Sequence, residues 1–248
     1  MRKMIAILIL PLPSVLKVLV MRHLMGFRIG RGVRIGFSLV LPDRAEIGDR
    51  VRIGHFNLIA GMRSLTMGDD SVIGFANIVL GGREVRLGDG AVIGRLNEIN
   101  SILNPLVRGI PEPVLILGRR AIVTAWHKID FTDRVELGES VVLVGRLSNI
   151  WTHNRQDIGP VTIGSGCYLG SGIQIVPGAA VGASCVVGLG AIITRKFDDA
   201  GVLLAGVPAR VVKPLDTEGR RLVEYPTRPD LDGYGDLDGL TGHDRAGL

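Results

Sequence analysis

The chain has 248 residues, of which 46% are hydrophobic and 4% aromatic, with 35 glycines and a formal net charge of +5. This length and hydrophobic content allow a substantial core within one elongated domain. The positive charge suits an anionic ligand or a membrane surface, but the aromatic-rich basic motif of a nucleic-acid-binding protein is missing, so we expect no nucleic-acid partner.

Residues 1–26 form an apolar N-terminal segment with a basic start. Its uninterrupted apolar run, 4–12, is too short to span a bilayer, and no small-residue cleavage site of a signal peptide follows. Pro13 suits the first turn of a helix and Gly26 the position after its end, which predicts a helix over 13–25. We expect this helix to cover the end of the repeats that follow, since a first coil would otherwise expose unpaired strand edges. The alternative is a peripheral anchor, through residues 1–25, at the inner face of a membrane.

A unit of twenty residues recurs three times from residue 45. Its equivalent positions carry aliphatic residues and asparagines, at Ile47, Met67 and Leu87, at Ile53, Ile73 and Ile93, and at Asn57, Asn77 and Asn97. After an interruption at 105–114 the unit resumes at 115–134 and again at 135–154. Repetition at a fixed period is the signature of a solenoid.

Between 161 and 194 the period shortens to six, which fits neither a helix nor an alternating strand. The aliphatic residue returns at Ile163, Leu169, Ile175, Val181, Val187 and Ile193. Glycine directly follows four of them, at Gly164, Gly170, Gly182 and Gly188, where we expect it to supply the positive φ of a corner. Three such steps make one triangular coil of a parallel β-helix, with its core residues stacked about 4.8 Å apart.

The sequence therefore predicts an all-β fold, a parallel β-helix of about seven to eight coils over residues 27–203. We expect Ile193 to close the last regular coil, 195–203 to form a loop, and 204–215 to leave the stack as a C-terminal extension. From 216 to 248 the composition turns to Asp, Gly, Pro and Arg, which predicts a largely disordered tail.

The two cysteines, Cys167 and Cys185, stand eighteen residues apart and cannot form a disulfide framework. We expect both to be reduced thiols packed in the core of a cytoplasmic protein, because a free cysteine behaves as a small hydrophobic residue. The pair offers too few ligands for zinc, so no metal is expected.

Residues 163–194, followed by AGVPARVVK at 205–213, resemble the hexapeptide-repeat acyltransferases, a family of left-handed parallel β-helices that includes sugar and polysaccharide O-acetyltransferases. The resemblance covers about residues 29–214. It implies left-handed coiling, which periodicity alone does not decide, since ordinary parallel crossovers are right-handed. It also implies acetyl-CoA as acyl donor and a homotrimer in which two chains share each site.

His153 lies in the loop that separates the two repeat regions, and surface excursions of this kind often carry function. In the resembling enzymes a Thr-His or similar pair at this place supplies the general base, a role that suits an imidazole because its pKa lies near neutrality. The family's acid shortly after the histidine has no close counterpart here, and Asp157 is the nearest. The alternative is an ordinary exposed loop histidine.

His127 is the second candidate, and two interpretations stay open. It falls in the column of Asn57, Asn77 and Asn97, where amides and imidazole would form a hydrogen-bonded ladder. It could instead lie near the acceptor, assisted by Asp130 or Asp133, and orient the acceptor hydroxyl.

The other candidates follow from the resemblance. Small residues would let the pantetheine arm approach the backbone: Gly170, Ser171, Gly188 and Gly190. A backbone N–H near Gly170 or Ser171 would hold the developing oxyanion. The residues that resemble contacts to the CoA phosphates are Thr194, Lys196 and Arg210. On the acceptor side we place Asp130, Asn154 and two tryptophans that could form a platform for a sugar ring, Trp126 and Trp151; the tryptophans could equally pack the base of the loop.

These observations predict acetyl-CoA-dependent O-acyltransfer to a hydroxyl of a sugar or polysaccharide, by direct transfer with a histidine base. Acyltransfer to a small metabolite, such as an amino acid, an antibiotic or an amino sugar, is the first alternative. A non-catalytic scaffold that kept the fold is the second. A metal-dependent hydratase is disfavoured, because two candidate histidines do not supply three metal ligands.

Overall fold

The structure, a computed structural model, describes residues 2–102 and 113–224. Two helices open the chain, α1 (Arg2–Leu8) and α2 (Ser14–Leu24), and short strands follow. The first four coils contain β1 (Arg28–Ile29), β2 (Arg34–Ile35), β3 (Leu39–Leu41), β4 (Arg44–Ile47), β5 (Arg52–Ile53), β6 (Leu58–Ala60), β7 (Ser64–Met67), β8 (Val72–Phe75), β9 (Ile78–Leu80), β10 (Glu84–Leu87), β11 (Val92–Arg95) and β12 (Glu98–Asn100).

The next four coils begin at residue 114. They contain β13 (Val114–Leu117), β14 (Ile122–Ala125), β15 (Lys128–Asp130), β16 (Val135–Leu137), β17 (Val142–Leu143), β18 (Asn149–Ile150), β19 (Val161–Ile163), β20 (Tyr168–Leu169), β21 (Gln174–Ile175), β22 (Ala180–Val181), β23 (Val186–Val187) and β24 (Ile192–Ile193). The chain ends its described part with β25 (Lys196–Phe197), β26 (Val202–Gly206), β27 (Ala209–Pro214) and α3 (Thr217–Glu224).

Every third strand stacks in parallel on its equivalent, which builds three sheets. Sheet A runs from β1 through β4 to β25, sheet B from β2 through β5 to β26, and sheet C from β3 through β6 to β24. We call the three edges of the prism the AB, BC and CA corners, after the sheets that the chain joins there. The predicted parallel β-helix of about seven to eight coils is confirmed, and the solenoid is consistent with left-handed coiling.

The core is a set of aliphatic columns inside the prism. In sheet A, for example, Ile47 pairs with Met67, Met67 with Leu87 and Leu87 with Leu117, and each is almost completely buried. Cys167 and Cys185 are free, buried neighbours on successive coils. Because strands are only two to five residues long over most of the rod, in-register stacking rather than strand length holds each coil in place.

The glycines that follow the core aliphatics serve a different purpose from the one expected. A Cβ placed on Gly164 would lie 2.6 Å from the backbone nitrogen of Ala183, and one on Gly170 would lie 2.9 Å from that of Leu189. Neither glycine has a positive φ. These positions are glycine because successive coils approach too closely for a side chain. The positive φ of these corners falls two residues further along, at Gly166, Gly172, Ser184 and Gly190, and in earlier coils the BC corner places it on other residues, such as Phe56 and Trp126.

The N-terminal segment closes the first coil. The helix predicted over 13–25 is present as α2, and it is preceded by α1, which was not predicted. Ser14 Oγ accepts from the Ile35 N–H at 2.8 Å, Arg22 donates to the Ile29 and Gly30 carbonyls, and Lys17 Nζ donates to the Gly36 carbonyl at 2.5 Å. These side chains satisfy the free edge of the first coil in place of a preceding strand.

The C-terminal end differs from the prediction. The chain does not leave the stack at Ile193, because β25 pairs with β22 and β26 pairs with β23 in register, with Val187 opposite Leu204. Only β27 departs, by folding back antiparallel on β26. The tail predicted to be disordered begins with helix α3, and residues 225–248 lie outside the described part of the chain.

Candidate functional site

The CA corner brings together a buried carboxylate of the fifth coil and a histidine of the sixth. Strand β15 stacks on β18 with Lys128 opposite Asn149 and Ile129 opposite Ile150. Asp130 therefore ends β15 directly beside the point where the chain leaves β18 for the loop. There the Nδ1 atom of His153 lies 2.5 Å from Oδ2 of Asp130.

Asp130 is held rigidly. Its side chain is 1% exposed, whereas that of His153 is 27% exposed. Its Oδ1 accepts from the hydroxyl and the N–H of Thr132, at 2.6 and 3.0 Å, and its Oδ2 accepts from the N–H groups of Thr152 and His153, both at 3.3 Å. A buried carboxylate is stable only with such a set of donors.

This arrangement sets the chemistry of the imidazole. An ionised carboxylate only accepts hydrogen bonds, so Nδ1 of His153 carries the proton that faces Asp130. Nε2 is then the basic nitrogen, on a ring that remains partly open to solvent. The pair can take up a proton at Nε2 and stabilise the resulting imidazolium through Asp130.

The loop that begins at His153 is held by hydrogen bonds between its own residues. His153 forms an antiparallel bridge with Ile158, and Oδ1 of Asn154 accepts from the N–H groups of Gln156 and Asp157, both at 2.7 Å. The side-chain amide oxygen of Asn154 thus shapes the turn and is not held ready for an acceptor. Asp157, the nearest acid in sequence, is exposed.

Sequence reasoning missed the partnership of His153 with Asp130. Sheet B repeats at twenty residues between the fifth and sixth coils, with Ile122 opposite Val142, but sheet C repeats at twenty-one, with Lys128 opposite Asn149. One extra residue therefore enters the BC corner between these strands. An alignment that allowed this insertion would have placed Asp130 opposite Trp151, two residues from His153.

His127 lies in the BC corner and continues the asparagine ladder. Asn77 and Asn97 each donate to the Oδ1 of the asparagine one coil before, at 3.0 Å, and the His127 N–H donates to Asn97 Oδ1 at 2.9 Å. The next coil adds the Ser148 N–H, which donates to His127 Nδ1 at 3.3 Å.

The other ring nitrogen of His127 is also occupied. Since Nδ1 accepts a hydrogen bond, Nε2 carries the proton, and it lies 3.0 Å from the hydroxyl of Thr124. The residue is 2% exposed, and burial lowers its pKa to about 4. The hydrogen bonds thus favour the ladder interpretation, with a neutral His127 that does not face an acceptor.

The predicted coenzyme residues are divided between two corners. Gly170, Ser171, Gly188 and Gly190 lie in the BC corner of the seventh and eighth coils, as the pairing of Leu169 with Val187 requires. Arg210 is exposed and pairs with Ala205 beside the same corner.

Thr194 and Lys196, also exposed, lie at the CA corner, about 10 Å along the axis from the level of His153.

One of the two oxyanion candidates is excluded. The Gly170 N–H donates to the Val187 carbonyl at 2.9 Å as part of the stack, so it cannot also bind a reacting oxygen. Of the two predicted donors, this leaves the Ser171 N–H.

The two tryptophans do not form one platform on this chain. Trp126 lies in the BC corner and is 51% exposed, whereas Trp151 follows β18 at the CA corner, with the Lys128 ammonium 5.9 Å from the centre of its ring. Sheet C separates the two side chains. Over 2–102 and 113–224, no group of three His, Cys, Asp or Glu residues is arranged to hold a metal ion.

Known proteins resemble this chain in structure but not detectably in sequence. No family model and no curated protein matches the chain in sequence. The polySia-specific acetyltransferase NeuO matches in structure with a TM-score of 0.52 and 19% identity, over 76% of this chain and 81% of that one. A UDP-N-acetylglucosamine acyltransferase from Campylobacter jejuni matches with a TM-score of 0.50 and 13% identity, over 80% of this chain and 78% of that one. At these identities the shared property is the β-helical fold.

Proposed function

We propose that the chain is an acyl-CoA-dependent O-acyltransferase that uses acetyl-CoA to acetylate a hydroxyl of a sugar or polysaccharide. The observation that carries the proposal is the pairing of His153 with the buried Asp130. A scaffold has no need of a carboxylate held by four hydrogen bonds beneath a partly exposed imidazole. A general base does, because the carboxylate fixes the tautomer and stabilises the charge that forms.

In the proposed reaction His153 Nε2 takes the proton from the acceptor hydroxyl as its oxygen attacks the thioester carbonyl. The C–O bond forms, and the tetrahedral intermediate then collapses with cleavage of the C–S bond. The imidazolium returns the proton to the departing CoA sulfur, which leaves the enzyme unchanged. Asp130 remains ionised and supports the imidazolium, while an N–H such as that of Ser171 stabilises the oxyanion.

The choice of substrates rests on two further arguments. The sequence of residues 163–194 and 205–213 resembles that of enzymes that use CoA donors. Two proteins that share the fold are by name an acetyltransferase specific for polySia and an acyltransferase of UDP-N-acetylglucosamine. Both acceptors are saccharides. The exposed Thr194, Lys196 and Arg210 would bind the CoA phosphates, to which basic groups are suited.

A site shared between chains accounts for the division of these residues. A single rod keeps its BC and CA corners on opposite sides of sheet C, so His153 and Ser171 of one chain do not line one cleft. In a homotrimer, the CA corner of one subunit would face the BC corner of the next, and the acyl-CoA would lie in the groove between them.

The test uses release of the CoA thiol from acetyl-CoA with a panel of hexoses, oligosaccharides, amino sugars and serine. We expect turnover with a saccharide hydroxyl, and we expect His153→Ala to lower kcat by about 100- to 10,000-fold with little change in KM. Asp130→Asn should also lower kcat and alter its pH profile, because an amide no longer fixes the tautomer or the charge of the ring.

Asp157→Asn is the matched control. It changes an exposed carboxylate four residues from His153 and should retain the wild-type rate. Equal losses in the Asp157 and Asp130 variants would reject the assigned pair, and an unchanged rate in His153→Ala would reject the enzymatic proposal. Transfer to serine or an amino-sugar nitrogen alone would replace the polysaccharide acceptor with a small metabolite.

A further inference from the structure

The N-terminal cap, defined here as α1, α2 and the residues between them, carries an apolar outer surface. Its inner side is buried on the first coil through Ala6, Ile9, Val18 and Met21. Its outer side leaves seven large apolar side chains between 46% and 79% exposed: Met4, Ile7, Leu8, Val15, Leu16, Leu19 and Leu24. A cap that only closed the prism would be polar on this side, as most protein surfaces are where no partner binds.

The cap and the first coil carry side-chain charge of one sign, and carboxylates begin only on the approach to the second coil, where Glu46 pairs with Arg28. Residues 1–42 contain seven Lys and Arg and no Asp or Glu, whereas the rest of the chain contains 22 basic and 24 acidic residues. The positive charge of the whole protein is therefore located at the capped end of the rod. Lys3, Arg31 and Arg34 are exposed there.

A basic cleft lies beside the cap. It has a volume of about 470 Å³ and is formed by the segment between the two helices and by the first two coils. Its lining includes Lys17, Arg34, Arg52 and His55 and no carboxylate. Guanidinium groups in such a position suit the phosphate of a lipid head group.

From these observations we propose that the cap docks the protein on a bilayer that contains anionic phospholipid. The seven apolar side chains would enter the boundary between head groups and acyl chains, and the surrounding arginines and lysines would contact phosphates. No helix in the described part of the chain is long and apolar enough to cross a bilayer, so the contact is with one surface. This inference concerns where the protein works and does not rest on the proposed reaction.

The charges favour a membrane over a second copy of the chain. Two caps brought face to face would place two sets of cations against each other, with no carboxylate from residues 1–42 to pair with them; Arg28 has a carboxylate partner, Glu46, on the second coil of its own chain. An anionic surface removes that repulsion and attracts each basic residue that lies close to it.

The experiment is co-sedimentation of the full chain with phosphatidylcholine vesicles, with and without phosphatidylglycerol. We expect binding to the anionic vesicles that weakens as salt is added. Leu8→Glu/Leu19→Glu should reduce that binding about tenfold or more, because it removes apolar area and adds repulsion. Both positions are exposed, so the variant should fold, which a thermal unfolding profile checks.

Val212→Glu/Leu222→Glu is the matched control, since it makes the same change at two exposed positions near the other end of the rod. It should bind like the wild type. Lys3→Glu/Arg31→Glu should weaken binding and flatten its salt dependence. Absence of binding to anionic vesicles, or equal binding by the Leu8/Leu19 variant, would overturn the proposal. Self-association without vesicles that Leu8→Glu/Leu19→Glu abolishes would show instead that the cap covers a second copy.

Discussion

At the scale of single residues, the two candidate histidines, His153 and His127, have opposite environments. His153 keeps one ring nitrogen on Asp130 and its ring partly exposed, whereas His127 has both ring nitrogens bonded inside the protein. The difference arises from position, since His127 lies in the packed BC corner of the fifth coil and His153 begins the loop that leaves the sixth coil at the CA corner. A histidine that has no free nitrogen can support the fold but cannot accept a proton from a substrate.

The ladder position of His127 predicts a specific dependence of stability on pH. Burial lowers its pKa to about 4, whereas the imidazole of the unfolded chain has a pKa of about 6.5. Between these values the unfolded state binds a proton that the native state does not, so the free energy of unfolding falls as the pH drops through this window. The contribution is fully present above about pH 6.5, and about 2 kcal/mol of it should be lost by about pH 5.

His127→Asn should remove that part of the pH dependence and leave transferase activity intact. An asparagine stands at three equivalent positions of the ladder, so its amide can accept from the Ser148 N–H in place of the imidazole. Urea unfolding at about pH 7.5 and about pH 5 measures the difference. A variant as acid-sensitive as the wild type, or one with a lowered kcat at neutral pH, would contradict the ladder role.

At the scale of elements, the cap replaces a missing strand with side chains. A strand preceding β2 would donate and accept backbone hydrogen bonds along the edge. In its place the Ser14 hydroxyl accepts from the Ile35 N–H, and the Lys17 ammonium donates to the Gly36 carbonyl. Burial lowers the pKa of Lys17, and its bond to the Gly36 carbonyl offsets part of the cost of burying the ammonium. Side chains of α2 therefore take over part of the hydrogen bonding that a preceding coil would supply to the first one.

Ser14→Ala tests this account of the edge. It leaves the buried Ile35 N–H without its acceptor, which should cost about 1–2 kcal/mol and raise local hydrogen exchange at Ile35 about tenfold. Ser14→Thr keeps the hydroxyl and should exchange like the wild type. The amide of Ile53 in the second coil serves as an internal reference, and equal acceleration at Ile53 would mean that the cap stabilises the rod globally rather than at this edge.

At the scale of the whole molecule, the rod separates residues that the proposed reaction needs together. His153 lies at the CA corner, and Ser171 and Arg210 lie at or beside the BC corner. Stacking is what imposes this separation, because each corner runs the length of the prism and no loop of the described chain crosses sheet C. Association is the simplest way to bring the two corners into one cleft.

We accordingly expect sedimentation velocity to give three times the chain mass of 26.6 kDa. Mixing His153→Ala chains with chains that carry Ser171→Pro, which lacks the N–H, should restore part of the activity, since some interfaces then combine an intact base with an intact donor. A fully active monomer, or the absence of any complementation, would contradict a site shared between subunits.

The sequence by itself determined the β-helix, its columns and its approximate number of coils, and it identified His153 as the histidine in the loop. The fold features follow from sequence periods of six and twenty residues. Each period recurs several times, so the pattern is recognisable even where a single position departs from it. Tertiary structure decided that Asp130 rather than Asp157 supports His153, because that contact spans twenty-three residues and depends on one inserted residue. It also decided the roles of the glycines and of α2, since the closeness of successive coils and the bonding needs of a strand edge exist only once the coils are stacked.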